Sequence, residues 1–88
     1  MNKGDMVFTV YGRENCTFCT KAKTHLEVRG YRYEYVDLDR TENLEILQRL
    51  RATGARSVPQ IYIANRHIGG YTDLVKFTSD LEEGTDND

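Results

Sequence analysis

The chain has 88 residues, 39% apolar and 30% charged, the balance of a single globular domain with one modest core. No apolar run approaches the roughly 20 residues that span a bilayer, and Met1-Asn2-Lys3-Gly4-Asp5 lacks the pattern of a secretory signal, so a cytoplasmic, thiol-reducing setting is the expectation. Net charge is −2, but residues 80–88 alone carry −5 (Asp80, Glu82, Glu83, Asp86, Asp88). The remaining +3 is too weak for a nucleic-acid surface and suits a small anionic ligand.

In chain order, Met6-Val7-Phe8-Thr9-Val10-Tyr11 is a β-branched and aromatic run that predicts a buried strand closed by Gly12. After the loop Gly12-Arg13-Glu14-Asn15 a helix should begin around Cys16, with Phe18, Cys19, Ala22 and Leu26 on one face and Gly30 as its stop. Residues 31–37 alternate as a second strand, and a strand, helix and strand in this span form a βαβ unit with parallel strands. Asp39 or Thr41 is expected to cap a second helix, with Leu44, Leu47 and Leu50 on its apolar side and Gly54 at its end. A third strand, Gln60-Ile61-Tyr62-Ile63, should turn through Asn65-Arg66 into His67-Ile68, making the sheet mixed. Thr72 is the expected N-cap of a last helix lined by Leu74, Phe77 and Leu81, and the acidic tail 82–88 should fray beyond a core of about 6–81. The order β-α-β-α-β-β-α around a Cys-x-x-Cys resembles the thioredoxin-like α/β fold, a four-stranded mixed sheet flanked by helices.

Cys16-Thr17-Phe18-Cys19 holds both cysteines of the chain. As a structural staple, a four-residue ring is worth only about 2 kcal/mol of loop-closure entropy, against about 3 for fifteen residues. A zinc site needs four ligands, and only His25 and His67 remain, far apart in sequence and without the spacing of a second ligand pair. A redox couple explains the position as well as the pair. Cys16 at a helix N-terminus meets unpaired N–H groups and the positive end of the macrodipole, which stabilise a thiolate. Thiols of Cys-x-x-Cys motifs in such places have pKa values lowered to roughly 3.5–7.5, and Arg13 adds positive charge nearby. Cys19, one turn further in, is the less exposed partner. Cys16 is therefore the expected nucleophile and Cys19 the resolving thiol.

Two further stretches surround this pair. Val58-Pro59 precedes a strand, and in the thioredoxin-like pattern such a proline is cis, with the residue before it offering its main chain to an extended substrate. Gly69-Gly70-Tyr71-Thr72-Asp73 combines close backbone approach with a helix N-terminus that can receive a carboxylate, while Asp73 can accept from an ammonium.

Over roughly residues 6–81 these stretches, with Tyr11-Gly12-Arg13 and Tyr33-Glu34-Tyr35-Val36-Asp37, resemble the glutaredoxins, in particular the bacterial dithiol subtype that reduces ribonucleotide reductase. The resemblance implies a single domain over 1–88 that carries out glutathione-dependent thiol–disulfide exchange, with glutathione as reducing co-substrate and no metal. Disulfide-bonded or glutathionylated proteins, ribonucleotide reductase among them, would be its partners, and the chain would be a monomer. It also implies that glutathione lies against Cys16 with its cysteine backbone paired to Val58, beside Ser57 and Pro59. Arg13 would face its glycine carboxylate, Thr72 and Asp73 would hold its γ-glutamyl end, and Phe18 and Tyr71 would pack beside the thiols. Two departures stand out: Thr17-Phe18 replaces the usual Pro-Tyr pair, and Ser57 replaces a usual Thr. The alternatives are a carrier of a glutathione-ligated 2Fe–2S cluster, an NrdH-like donor served by thioredoxin reductase, and a non-catalytic binding module.

Overall fold

The computed structural model describes residues 3–86. Strand β1, Val7–Gly12, follows a short 3-10 turn at Lys3–Asp5. Its period-two pattern is strict: Phe8 and Val10 are buried outright, while Val7, Thr9 and Tyr11 point to the other, more open face. Helix α1, Thr17–Val28, buries Cys19, Ala22 and Leu26, one residue per turn on a single stripe. Phe18 leaves that stripe and stands 52% exposed, so the expectation that it shares the buried face is corrected. In the first turn it projects onto Tyr71, at 5.9 Å between ring centroids. After Arg29, Gly30 takes a positive φ of 79° and the Tyr31 N–H reaches back to the Leu26 carbonyl. Strand β2, Arg32–Asp37, then runs parallel to β1, with Val10 opposite Tyr35 and Gly12 opposite Asp37.

The next connection differs from expectation. Neither Asp39 nor Thr41 caps the second helix. A 3-10 turn at Thr41–Asn43 comes first, and helix α2 is Leu44–Ala52. Asp37 organises the turn: its carboxylate accepts the Asp39 N–H at 2.9 Å and its carbonyl accepts the Asn43 side-chain amide at 2.8 Å. Leu44 is also exposed, because six residues at 100° each place it about 120° around the helix from the buried Leu50.

Strand β3, Gln60–Ile63, pairs antiparallel with β1, and β4, Arg66–Gly69, pairs antiparallel with β3. The hairpin turn is Ala64-Asn65, one residue earlier than expected, with Ala64 at φ 52°. The order β2-β1-β3-β4 makes the four-stranded mixed sheet of the thioredoxin-like fold. Helix α3 is Tyr71–Asp86, so the tail is helical through Asp86 where fraying was expected from 82; Asn87 and Asp88 lie outside the described residues. Glu82 anchors this part by accepting from Arg29 at 2.7 Å and from the Tyr31 hydroxyl at 3.1 Å.

The core lies between the sheet and α1 with α3. Phe8, Val10, Ile61, Ala22, Leu26 and Leu74 are all closed to solvent, and Phe8 meets Tyr31 and Phe77 edge-on at 5.4 and 6.1 Å. Each of these side chains larger than that of Ala22 contributes roughly 1.5–3 kcal/mol on burial. The rigid layer ends where β1 gives way to α1, and there the two cysteines sit.

Candidate active site

The chain reaches α1 through a tight turn in which Asn15 adopts φ 59°. Cys16 is the N-cap, with extended backbone (φ −113°, ψ 107°), and its Sγ accepts the Cys19 N–H at 3.1 Å. A sulfur here takes the place of the usual Ser or Asp oxygen at a helix N-terminus, so negative charge on it is favoured by the same N–H that a cap satisfies. The first turn of α1 carries no acidic residue to oppose that charge. Cys16 and Cys19 are joined as a disulfide with their Cα atoms 5.2 Å apart. The structure therefore holds the oxidised form of the pair. Their exposures are unequal, as the spacing predicts: Cys16 is half-buried and reachable, while Cys19 is 1% exposed.

The loop before Pro59 reaches Cys16 directly. The Val58–Pro59 bond is cis, and the Val58 carbonyl oxygen lies 3.9 Å from Cys16 Sγ. Ser57 is exposed beside it, and its carbonyl accepts the Gln60 amide at 2.8 Å. Gln60 in turn accepts on its side-chain oxygen from His67 at 2.7 Å, so β4 braces the loop before Pro59. With the amide nitrogen of Gln60 already donating to Ser57, the His67 Nε2 must carry the hydrogen. Gly70 stands against the Pro59 carbonyl, where an added Cβ would sit 3.8 Å away. Tyr71 then stacks at a 37° tilt on Phe18 and meets His25 edge-on at 6.3 Å. Lys21 completes this rim with its ammonium 5.2 Å from the Phe18 ring.

Arg13, Ser57 and Val58 line one cleft of about 170 Å³, joined by Arg51, Arg56 and Gln60. Arg51 and Arg56 were not singled out from sequence. Arg13 carries a difference too: its guanidinium is paired to the Asp39 carboxylate, so its charge is shared and not directed wholly at the thiols.

The 69–73 stretch is arranged differently from expectation. Thr72 is the second residue of α3 and exposed, so it is not the N-cap. Gly70 holds that position: its carbonyl accepts the Leu74 N–H at 3.0 Å, and its N–H donates to Asp73 Oδ2 at 3.0 Å. Asp73 thus folds back as half of a capping box, with one oxygen engaged by the Gly70 N–H. Gly69, at φ 125°, leaves the room this needs, since a Cβ there would run into the Asp73 carboxylate. The two histidines weighed as metal ligands are held elsewhere, His25 on Thr78 at 2.8 Å and His67 on Gln60.

A thiol pair at a helix N-terminus, facing the main chain of a cis-Val58–Pro59 loop, is the arrangement on which comparison with known proteins turns, and the Glutaredoxin family model matches residues 7–68. The chain belongs to the glutaredoxin family. It is 34% identical to Glutaredoxin 1 of Escherichia coli over 82 residues, covering 85% of this chain and 95% of that one. Among solved structures, the buckwheat glutaredoxin–glutathione complex matches with a TM-score of 0.71 at 28% identity, over 89% of this chain and 73% of that one. NrdH-redoxin from Escherichia coli matches with a TM-score of 0.70 at 29% identity, over 81% of this chain and 93% of that one. This glutaredoxin is accordingly a thiol–disulfide oxidoreductase with Cys16-Thr17-Phe18-Cys19 as its redox pair.

Behind the pair, this glutaredoxin places Tyr35, which the sequence marked as part of a strand but not as a site residue. Tyr35 on β2 donates its hydroxyl to the Arg13 carbonyl at 3.0 Å, and the Lys23 ammonium lies 4.1 Å from its ring centre. Burial first, then the carboxylates of Asp37, Asp39 and Glu14, push its phenol above the ordinary tyrosine range. Gly12 is the spacer between them, for a Cβ on it would stand 2.6 Å from the Tyr35 oxygen and 2.7 Å from Cys19 Sγ.

Proposed function

We propose that this protein reduces protein disulfides and glutathione mixed disulfides with glutathione as its reductant, in the cytoplasm and as a monomer. The observation that carries the reading is Cys16 Sγ at the N-cap of α1, 3.9 Å from the Val58 carbonyl and beside the arginine-lined cleft. An extended peptide thiol laid across Val58 would bring its sulfur to Cys16, pairing main chain with main chain as a strand does at a sheet edge. The carboxylate of its glycine end would then face Arg13, with Arg51 and Arg56 adding to the field, and its γ-glutamyl end would run toward Tyr71, Thr72 and Asp73. Phe18, Ser57 and Pro59 would form the walls.

In the exchange, the Cys16 thiolate attacks one sulfur of the target disulfide and releases the other as a thiol. Cys19 then displaces the substrate from Cys16, or glutathione does so in its place. Two glutathione molecules return the Cys16–Cys19 disulfide to the dithiol and become one glutathione disulfide. Glutaredoxin potentials of about −200 to −230 mV lie close enough to the glutathione pool for the reaction to run either way. The disulfide of a ribonucleotide reductase is among the proposed targets, on the likeness to the bacterial dithiol subtype.

The test is NADPH consumption with glutathione, glutathione reductase and a small glutathione mixed disulfide. Wild type should turn over, Cys16→Ser should lose all activity, and Cys19→Ser should keep a substantial part. Absence of turnover by wild type overturns glutathione as the reductant. The likeness to NrdH-redoxin favours a second reading, electron supply by thioredoxin reductase. Turnover with NADPH and thioredoxin reductase, and none with glutathione, would select it.

A further inference from the structure

Resolution of the mixed disulfide asks Cys19 to attack as a thiolate from a site that water does not reach. A thiolate stripped of hydration needs a compensating hydrogen bond or charge, or the thiol resists ionisation. The Cys19 sulfur and the Tyr35 oxygen both border the small volume left open by the missing side chain of Gly12, at 2.7 and 2.6 Å from the same point. They cannot be farther apart than those two lengths laid end to end. Tyr35 is aimed there by the packing around it, since Lys23 covers its ring and the Arg13 carbonyl holds its hydroxyl hydrogen. The same Arg13 residue borders the ligand cleft, so the acceptor that Tyr35 uses at rest belongs to the segment that substrate would touch.

We propose that Tyr35 is the hydrogen-bond donor to the Cys19 thiolate in the resolving step, its hydroxyl turning from the Arg13 carbonyl to the sulfur as negative charge develops there. This rests on the assignment of Cys16 as nucleophile and Cys19 as resolving thiol. In the step, Cys19 sulfur bonds to Cys16 sulfur and the bond from Cys16 to the substrate sulfur breaks. The electron pair leaves with the substrate sulfur, which takes up the proton that Cys19 gave up and departs as a thiol. Tyr35 keeps its own proton throughout; its raised phenol pKa suits a group that donates without ionising. The ammonium of Lys23 over the ring adds positive potential to the same pocket. Gly12 is then required for a reason beyond backbone freedom, because a Cβ at that position would crowd both the donor oxygen and the sulfur.

The experiment compares wild type with Tyr35→Phe, which keeps the ring and removes only the hydroxyl. The Cys19 thiol is titrated by ultraviolet absorbance in the Cys16→Ser and Cys16→Ser/Tyr35→Phe proteins. Rates are measured with a protein disulfide, whose reduction needs Cys19, and with a glutathione mixed disulfide, whose reduction does not. The expected results are a rise of about one pH unit in the Cys19 titration, and a tenfold fall in the protein-disulfide rate against less than a twofold change in the other. An unmoved Cys19 titration overturns the proposal, as does an equal fall in both rates, which would mark Tyr35 as merely structural. The titration needs no glutathione. Failure of wild type to use glutathione would thus strike the functional reading and leave the test of Tyr35 standing.

Discussion

On one face of the sheet, α1 and α3 seal Phe8, Val10, Ile61, Leu26 and Leu74 from solvent, whereas on the opposite face α2 buries Leu50 alone. Beneath α2 a cleft of about 230 Å³ remains between Leu50, Tyr11 and Tyr62, and the arginine-lined cleft also borders Leu50. The packed face holds Cys19, Ala22 and Leu26 in one stripe, so it fixes the sulfurs through the same contacts that stabilise the domain. The open face supplies Arg13, Arg51, Arg56 and the loop before Pro59, all of which keep solvent access. The thiols are thereby fixed on the closely packed face, while Arg13, Arg51 and Arg56 lie with solvent access on the other.

Truncation is the harshest way to break this comparison. Leu74→Ala, in the sealed layer, should cost about 3–4 kcal/mol in urea unfolding, because the cavity cannot collapse. Leu50→Ala, at the half-open cleft, should cost about 2 kcal/mol. Equal losses would mean that α2 is packed as tightly as the other face. The open face can be probed next through its charges. Arg13→Gln should raise KM for a glutathione mixed disulfide about fivefold at low salt, near 1 kcal/mol, and the effect should fade as salt is added. Asp39→Asn, which frees Arg13 from its partner, should lower KM slightly. An unchanged KM in both variants would remove Arg13 from the ligand cleft.

The mildest test uses pH. Burial, then the nearby Arg29, lowers the pKa of His25, with Glu82 opposing. The folded state therefore binds this proton less readily than the unfolded state, whose histidine titrates near 6.5. Stability from neutral His25 is complete above about pH 6.5 and is lost as pH falls through the window between the unfolded and the lower folded pKa. Relative to pH 7.5, the urea midpoint of wild type should drop more at pH 5.5 than that of His25→Gln. Parallel curves would show that His25 carries no such linkage.

Much of this was legible along the chain. A β-branched and aromatic run marked β1, an alternating one marked β2, Gly30 stopped α1, and the Cys-x-x-Cys between a strand and a helix marked the chemistry, because each depends on neighbours within a few residues. The connection after β2 was not legible. Asp39 and Thr41 are good capping residues, yet Asp37 took charge of the turn through hydrogen bonds from Asp39 and Asn43. Thr72 lost the N-cap of α3 to Gly70 because Asp73 folded back, a choice made possible by the room at Gly69. Leu44 looked core-bound, yet it stands about 120° around α2 from the buried Leu50 and stays exposed.

By itself, then, the sequence determined the kinds and order of the elements, the redox pair and the unequal exposure of its two sulfurs, since hydrophobic period, glycine stops and the spacing of Cys16 and Cys19 act over one or two turns. Only the tertiary structure decided which distant residues meet those sulfurs. Val58 comes within reach of Cys16 from 42 positions away. Tyr35 reaches the space behind Cys19 because β2 runs parallel beside β1 in one register, and that register is set by burying Phe8 and Val10 against two helices at once.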